Sequence, residues 1–487
     1  MDRRLSAFFI LLAATAFLGW QLPQAGGGPW GNDEGIYLAS AQSLASGHAP
    51  YRTVFFSKPP LYALLLDVLG HLSGWNIAGY RLAMIACALV TLLATAVLGW
   101  LLGGPRVAAA TTVLLALNPK FIFYARPLSA DPPVLTLMLV ALLGGVLAIE
   151  RGAAWAWMVT GGATLAAIFM KPNGGLVVPI LGVTLLVWLL RQPRQARGRH
   201  LLRCLALGTL GALPVLLLVL PFSLEPNAYQ QAVTYEVAGR NLYHLDLVAQ
   251  AHHLFSFVWV DRGLVILAAI GVFGTLRRPL TVVSLTLLVW TCTYAVFLFL
   301  HYPLFSKHLN AMIPPLALFA GAGLVEMAEL AIGLVAAIRF RRTLDARTRW
   351  AGVFGWSVLV VVAALLPYLL HLDSSDAVPS VNEERERLEA AVRLHVAPGG
   401  TVVTDDQFAA FAARLAVVPW FADTSGARLD TGYLTGPEAV AKAEALRPAA
   451  VIFGNDRLNR FPEFVSWVEA HYQRVWADGS RAIYLPR

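Results

Sequence analysis

The sequence predicts an α-helical polytopic membrane protein with about eleven transmembrane helices and a small soluble α/β domain at its C-terminus. Of its 487 residues, 57% are apolar and only 14% are charged, and the mean hydropathy is +0.63. A water-soluble globular protein does not normally have this composition. Apolar runs of about 20 residues, long enough to cross a hydrocarbon core of roughly 30 Å, recur as far as residue 370. The remaining residues lack such runs and carry an acidic excess, whereas the first part is basic.

The predicted spans are separated by Gly, Pro and Arg residues that interrupt the apolar runs. Their approximate limits are 5–22, 78–102, 107–124, 132–149, 154–170, 174–190, 203–221, 256–275, 281–300, 311–337 and 350–370. Arg3 and Arg4 before the first run would also suit a signal peptide, but a polytopic chain follows, so a signal-anchor is the simpler interpretation. We therefore take 1–370 as the membrane domain and 371–487 as the soluble domain.

The arginines predict the orientation. With a cytoplasmic N-terminus, 16 arginines fall in cytoplasmic segments, as the positive-inside rule requires. The four lysines of the membrane domain, Lys58, Lys120, Lys171 and Lys307, fall on the opposite face. An odd number of spans then places the soluble domain outside the cytoplasm, and the composition and short loops suggest a prokaryotic plasma membrane. The basic charge suits anionic membrane lipids as partners, and we expect no nucleic acid.

Two outer loops, 23–77 and 222–255, are longer than simple connections need. Within the first, an apolar stretch after Pro59-Pro60 is too short to span and predicts an interfacial helix. In the soluble domain the patterns predict a helix at 382–389, a strand at 401–404, a helix at 437–446 and a strand at 450–453. Asp405-Asp406 after the first strand are interpreted as turn residues.

Asp33 and Glu34 lie side by side just outside the first span. They could simply cap a helix that begins at Gly35. Alternatively, a carboxylate at the outer membrane surface could act as a general base, because a hydroxyl nucleophile must lose its proton as it attacks. Asp131, before Pro132-Pro133, lies on the same face and has the same two interpretations, as a cap or as a site residue.

Several cations lie on this outer face as well. Lys171 occupies a short turn between two apolar spans, where an unpaired ammonium is costly and often marks a functional site, although it could also extend to lipid phosphate. Lys307-His308 is a similar turn. With Lys58 and Arg126 these cations could converge on a phosphate leaving group.

A metal site is a further possibility. His252-His253 with Asp261, together with Asp33 or Glu34, could bind a divalent metal, but adjacent histidines on a helix point about 100° apart and do not readily share one ion. The three cysteines, Cys87, Cys204 and Cys292, have no spacing that predicts a disulfide framework or a zinc site.

The order of these motifs resembles the GT-C integral-membrane glycosyltransferases, most closely the branch of protein O-mannosyltransferases and lipid A aminoarabinose transferases. The motifs are Asp33-Glu34, Gly-x-x-Pro-Tyr at 47–51, Lys58-Pro59-Pro60-Leu61, Tyr124-Ala125-Arg126 with Asp131, Lys171-Pro172, and a basic turn before Pro314-Pro315. Ser57 stands where the aminoarabinose branch commonly has an acidic residue, which weakens the inference of a metal site or of aminoarabinose as the sugar.

The resemblance implies an enzyme that moves a sugar from a polyprenyl-phosphate donor to a lipid, glycan or protein acceptor at the outer face, usually with inversion. By this resemblance Asp33 is the catalytic base candidate beside Glu34, Asp131 orients the sugar or acceptor, and Lys58 and Arg126 hold the donor phosphate. Lys171, Lys307 and His308 are further phosphate-binding candidates. The substrate-binding candidates are Tyr37, Tyr51 and Tyr62.

Two other functions would also use carboxylates and cations in a membrane protein. A transporter or flippase of lipid-linked sugars would place its charges near mid-membrane on broken helices, whereas these residues cluster at one face. A non-catalytic binder of polyprenyl phosphates would not need Asp33. The motif order favours the glycosyltransferase.

Overall fold

The computed structural model describes residues 3–27, 32–242, 244, 246–339 and 383–487. The described chain has a helical membrane part followed by a mixed α/β domain. The helices of the membrane part are α1 (Arg3–Gln21), α2 (Asn32–Ala45), α3 (Pro60–Ser73), α4 (Ile77–Ala116), α5 (Pro119–Tyr124), α6 (Asp131–Arg151), α7 (Ala154–Met170), α8 (Val177–Arg191), α9 (Arg194–Ser223), α10 (Tyr235–Asn241), α11 (Leu247–Val260), α12 (Arg262–Leu276), α13 (Val282–Leu300), α14 (Ser306–Leu309) and α15 (Ile313–Arg339). The predicted span at 350–370 and the predicted domain boundary at 371 lie outside the described residues.

The described helices confirm a polytopic membrane protein but not the count of eleven. Seven of them are long and apolar enough to cross a membrane, or eight if one bent pair counts as a single span. Helix α4 contains the predicted span 78–102 and the first part of the predicted span 107–124, and Gly103 and Gly104 leave helical geometry between them. The two halves fold back on each other, so that a Cβ on Gly99 would lie 3.1 Å from the Cα of Ala108. Gly104 has φ +79°, a backbone conformation that glycine adopts more readily than residues with a Cβ. Helix α7 has only 17 residues.

The predicted span 256–275 is not one straight helix, since α11 and α12 meet there at 87°. The buried Asp261 lies at the bend, accepts a hydrogen bond from Asn118 Nδ2 at 3.0 Å and lies 3.0 Å from Lys120 Nζ. A buried carboxylate is tolerated only with such partners. The apolar run conceals this break because its partners come from a distant loop.

The soluble domain is built on one five-stranded sheet. Its helices are α16 (Glu383–His395), α17 (Gln407–Ala412), α18 (Gly426–Asp430), α19 (Gly436–Leu446) and α20 (Pro462–His471), and its strands are β1 (Thr401–Thr404), β2 (Ala416–Val417), β3 (Ala450–Phe453), β4 (Tyr472–Asp478) and β5 (Arg481–Pro486). The strand order is β2-β1-β3-β5-β4; the first three strands are parallel, and β5 pairs antiparallel with both β3 and β4. The two predicted strands and two predicted helices are confirmed.

Asp405 and Asp406 organise the turn after β1, as the sequence predicts. The buried Asp405 carboxylate accepts four backbone N–H bonds from the segment 454–458 after β3. Asp406 accepts the N–H of Ala409 and caps α17, and it also pairs with Arg385 at 2.8 Å. These contacts are structural and stabilise the carboxyl ends of two neighbouring strands.

Helix α2 joins the two parts of the chain. Its residue Ala39 packs in the core of the soluble domain, whereas Phe408 of α17 packs in the core of the membrane part. The contact is close, since a Cβ on Gly35 would lie 2.5 Å from the backbone nitrogen of Phe408. The position of α2, and of the side chains it carries, therefore depends on both domains.

Candidate active site

A cavity of about 250 Å³ lies between the membrane helices and the soluble domain. Elements far apart in sequence line it: α2, the loop before α3, the start of α6, the turn at 171–173, α10, the loop at 301–308 and the segment 423–427. Its charged side chains balance, with four cations (Lys58, Lys171, Arg240, Lys307) and four carboxylates (Asp33, Asp131, Glu236, Asp423). The charges of the lining therefore sum to zero, and a charged ligand would compete with the existing ion pairs.

Asp33 lies in the first turn of α2 and faces this cavity, where its side chain remains 53% exposed. Lys307 Nζ donates to Asp33 Oδ2 at 2.8 Å. Burial disfavours the ionised carboxyl, but Lys307 and Lys58 outweigh that effect and lower the pKa of Asp33 below its usual value. Asp33 is therefore ionised at neutral pH and can accept a proton.

Asp131 begins α6 and is paired with Lys171, whose Nζ lies 2.6 Å from Asp131 Oδ1. Lys171 ends the helix α7 and adopts extended backbone geometry, which directs the chain into the turn at 172–176. Burial lowers the pKa of Lys171, an effect that Asp131 only partly offsets and that Lys307 and Lys58 reinforce. In the structure the Lys171 side chain lines the cavity and is paired with Asp131.

Lys58 is held by two different contacts. Its ammonium forms an ion pair with Glu236 of α10, and its backbone carbonyl accepts a hydrogen bond from the hydroxyl of Tyr51 at 2.7 Å. Although burial disfavours the charged ammonium, Glu236 and Asp33 raise the pKa of Lys58. Lys58 therefore remains cationic at physiological pH.

The three candidate tyrosines have different positions. Tyr37 lines the cavity one turn after Asp33. Tyr62 packs edge-on against Tyr37, with ring centroids 5.0 Å apart, and supports it from behind. Tyr51 has φ +66° and acts through its bond to Lys58. Tyr37 is thus the one of the three that is directly available to a ligand in the described lining.

Glu34 is adjacent to Asp33 in sequence but points away from the described cavity lining. Its two carboxylate oxygens accept hydrogen bonds from Arg81 Nε at 3.0 Å and Nη2 at 2.7 Å. One of them also accepts the N–H of Leu128 at 2.8 Å. Because successive helix residues are turned by about 100°, only one of the two neighbouring carboxylates can face the cavity.

Arg126 is likewise absent from the described cavity lining. It is buried and donates through Nη1 to Gln21 Oε1 at 3.0 Å, which ties the segment after α5 to the end of α1. The amide of Gln21 in turn donates to the carbonyl of Ile122 at 2.6 Å. Three of the four predicted cations therefore converge at the cavity, and Arg126 connects helices beside it.

An apolar groove of about 560 Å³ shares Arg240 and His301 with the cavity. Its walls come from Leu176 and from one face of α13 that includes Val296 and Leu300. Burial, together with Arg240 and Lys171, lowers the pKa of His301 to about 4. His301 is therefore neutral at physiological pH, and it packs against His308 with ring centroids 4.4 Å apart.

The soluble domain forms the remaining wall. Tyr235 of α10 and Ser425 of the soluble domain share a hydrogen bond of 2.9 Å between their hydroxyl oxygens. Tyr235 also packs edge-on against Phe55 and Tyr433, with centroid distances of 5.3 Å and 5.4 Å. The cavity is therefore closed by residues from both domains.

The sequence analysis does not identify several charged or polar lining residues, among them Glu236, Arg240, His301, Asp423, Tyr235 and Ser425. A weak signal exists for the first two, because Glu236 and Arg240 are four residues apart on one short helix in a loop that is longer than a connection needs. No local pattern distinguishes Asp423. The suggested metal site is not supported, since no cluster of three or more His, Cys, Asp or Glu side chains suited to a metal occurs in the part of the chain that the structure describes.

Residues 57–223 match the profile of the dolichyl-phosphate-mannose-protein mannosyltransferase family. The fold is similar to ArnT from Cupriavidus metallidurans in its apo state, with a TM-score of 0.65, 17% identity and coverage of 99% of this chain and 98% of that one. The structure of ArnT bound to undecaprenyl phosphate matches with a TM-score of 0.63, at the same identity and coverage. The match to the family profile covers about a third of the chain, and the similarity to the two ArnT structures shows that the chain shares their fold.

The fold is also similar to the archaeal oligosaccharyltransferase AglB from Archaeoglobus fulgidus, solved with an inhibitory peptide and a dolichol-phosphate. That match has a TM-score of 0.59 and 13% identity, and it covers 99% of this chain and 74% of that one. No curated protein shows significant sequence similarity to the chain. The family match begins at Ser57, beside the cavity residue Lys58, and includes Asp131 and Lys171. It ends at residue 223, before α10.

Proposed function

We propose that this protein is a glycosyltransferase that moves a sugar from a polyprenyl-phosphate donor to an acceptor hydroxyl at the extracytoplasmic membrane face, with inversion at the anomeric carbon. The observation that carries the proposal is the cavity itself. It combines an ionised carboxylate, Asp33, with three lysines, and it shares Arg240 and His301 with an apolar groove. A polyprenyl-phosphate sugar has the same three parts: a sugar, a phosphate and an apolar chain.

The proposed step is a single displacement. Asp33 removes the proton of the acceptor hydroxyl as that oxygen attacks the anomeric carbon. The bond from this carbon to the phosphate oxygen breaks, and the polyprenyl phosphate leaves with the electron pair. Lys58, Lys171 and Lys307 stabilise the charge that develops on the phosphate. The products are the glycosylated acceptor, polyprenyl phosphate and a protonated Asp33.

The observed ion pairs suggest how the donor prepares the site. In the structure each of the three lysines is paired with a carboxylate: Lys307 with Asp33, Lys171 with Asp131 and Lys58 with Glu236. A donor phosphate would compete for these ammonium groups. When Lys307 turns to the phosphate, Asp33 loses the charge that lowers its pKa and becomes a stronger base.

Asp131 remains beside the sugar as an acceptor for its hydroxyls, and Tyr37 provides an aromatic wall. His308 lines the cavity next to Lys307 and supports the phosphate side. Glu34 and Arg126 stabilise the helices around the site, since their contacts are with Arg81 and Gln21. The extracytoplasmic location follows from the predicted orientation and is consistent with the contribution of the soluble domain to the cavity.

The test is sugar transfer in membranes that contain the chain, with a panel of radiolabelled undecaprenyl- and decaprenyl-phosphate sugars. Asp33→Asn should lower the transfer rate by a factor of at least about 100, while thermal stabilisation by undecaprenyl phosphate is retained. Asp67→Asn, a change in an exposed pair with His71, is the matched control. Transfer that is unaffected by Asp33→Asn would exclude Asp33 as the base. Flipping of lipid-linked sugar without transfer by the wild type would overturn the proposed function.

A further inference from the structure

One carboxylate of the cavity differs from the other three. Asp423 belongs to the soluble domain, is 3% exposed and lines the cavity. Its Oδ1 accepts the backbone N–H of Ser425 at 2.8 Å. Its Oδ2 accepts no hydrogen bond from any residue that the structure describes, and its charge acts on the buried Arg428 guanidinium. The other three cavity carboxylates instead each face a lysine. The Oδ2 of Asp423 is therefore an unused hydrogen-bond acceptor at the cavity wall.

The neighbours of Asp423 are hydroxyl groups. Ser425 and Tyr235 line the same wall and are hydrogen-bonded to each other at 2.9 Å. A carboxylate can accept two hydrogen bonds at once, and a hydroxyl can both donate and accept. This combination suits vicinal hydroxyls of a sugar ring. It does not suit a phosphate, because the carboxylate would repel a second anion.

The wall is held rigidly in place. Arg428 is fully buried and donates through Nη1 to the backbone carbonyls of Trp420 and Asp423, at 2.6 Å and 2.5 Å. Its guanidinium also lies 4.0 Å from the ring centroid of Phe55, which belongs to the outer loop of the membrane part. Burial lowers the pKa of Arg428 to about 10, so it stays charged at neutral pH. The segment that carries Asp423 is therefore positioned before any ligand arrives.

We propose that Asp423 and Ser425, together with Tyr235, form a subsite that binds the hydroxyls of a sugar ring. The proposal rests on the proposed function and adds to it that the soluble domain selects the substrate. The ring could belong to the donor sugar or to a glycan acceptor. Both offer the same hydroxyl chemistry, and the experiment separates them.

The test is the substitution Asp423→Asn, which keeps an oxygen for the Ser425 N–H and removes the charge. Hydrogen bonds to a charged group suggest a rise in one KM of about 10- to 100-fold. A higher KM for the donor, with the acceptor KM unchanged, would assign the subsite to the donor sugar. A higher KM for the acceptor, with unchanged hydrolysis of the donor in its absence, would assign it to the acceptor. Binding of undecaprenyl phosphate without a sugar should be unchanged.

A second variant, Ser425→Ala, should raise the same KM, and Glu444→Gln, at an exposed position of α19, should raise neither. If both variants at the subsite keep both KM values within twofold, the subsite is overturned. An equal loss of undecaprenyl phosphate binding in Asp423→Asn would indicate a general change of the cavity and would also overturn it. If the wild type neither binds undecaprenyl phosphate nor transfers any sugar, the proposed function fails before any variant is compared, and the subsite fails with it.

Discussion

Glu34 and Arg81 form the most deeply buried ion pair among the described residues of the membrane part. Variants of this pair can distinguish a structural role of Glu34 from the catalytic role proposed for Asp33. The side chains are 2% and 0% exposed, and two hydrogen bonds join them. Arg81 also donates to the carbonyls of Ala25 and Gly27 at 3.1 Å and 2.7 Å. Removing one partner of such a pair leaves an uncompensated charge, which costs about 3–5 kcal/mol.

We expect Glu34→Gln to lie near the lower end of this range and Glu34→Ala near the upper end. Glutamine keeps an oxygen for the N–H of Leu128, which donates to Glu34 at 2.8 Å, and it can still accept one bond from Arg81. Alanine removes the acceptor of three N–H groups, those of Leu128 N and of Arg81 Nε and Nη2, and adds a cavity. The difference between the two variants should be about 2 kcal/mol, which is the width of that range.

The assay is unfolding of the purified chain in lipid nanodiscs, combined with the transfer rate per folded molecule. Both variants should unfold at lower temperature, and the transfer rate of the folded fraction should stay within about threefold of wild type. In the double variant Glu34→Gln with Arg81→Met, much of the lost stability should return, because no charge is left unpaired. A Glu34→Gln variant with normal stability and no transfer would refute this reasoning and make Glu34 a catalytic residue.

The remaining predictions concern Lys171, Gly35 and Val296. The pKa of Lys171 lies below the usual lysine value of 10.5. As the pH rises, kcat/KM should therefore begin to decrease before pH 10.5 is reached. In Lys171→Arg this decrease should move to higher pH. Gly35→Ala would place a Cβ 2.5 Å from the backbone of Phe408 and displace α2. This should lower the free energy of unfolding by about 1–3 kcal/mol, which limited proteolysis would detect, and it should lower the transfer rate. Val296→Trp should fill the groove and raise the KM for undecaprenyl-phosphate sugars, but not for donors with two isoprene units.

Each of these predictions has a control in the chain. An alkaline fall that is identical in Lys171→Arg would exclude Lys171 as its source. Gly182 has open space around its Cα, so Gly182→Ala should leave transfer unchanged, and an equal effect of the two alanines would contradict the role assigned to the α2 contact. Val183 is an exposed apolar residue outside the described groove lining. A similar KM rise in Val183→Trp would mean that the groove does not hold the donor chain.

The local sequence pattern predicts well the features that depend on how a segment partitions between lipid and water. Most membrane helices could be located from the sequence, because a bilayer requires about 20 apolar residues wherever the chain crosses it. The elements at 401–404 and 450–453 could be located because buried strands form short apolar runs. The pairing of Asp33 with Lys307 was not predictable in detail, but the positive-inside rule assigned both residues to the same face.

Features that depend on distant partners could not be predicted. Glu236 is paired with Lys58 across 178 positions, and Arg126 bonds to Gln21 across 105. The bend at Asp261 depends on Asn118 and is invisible in an apolar run.

The sequence by itself determined that this chain is a polytopic membrane protein with a soluble domain, and that its carboxylates and lysines gather at one face. These properties follow from where each segment partitions between lipid and water, which composition sets locally. The tertiary structure decided which of those charged groups meet. Adjacent carboxylates diverged, since neighbouring helix positions point in different directions. Asp423 reached the cavity because α2 is packed between the two domains, an arrangement set by long-range packing that no local pattern encodes.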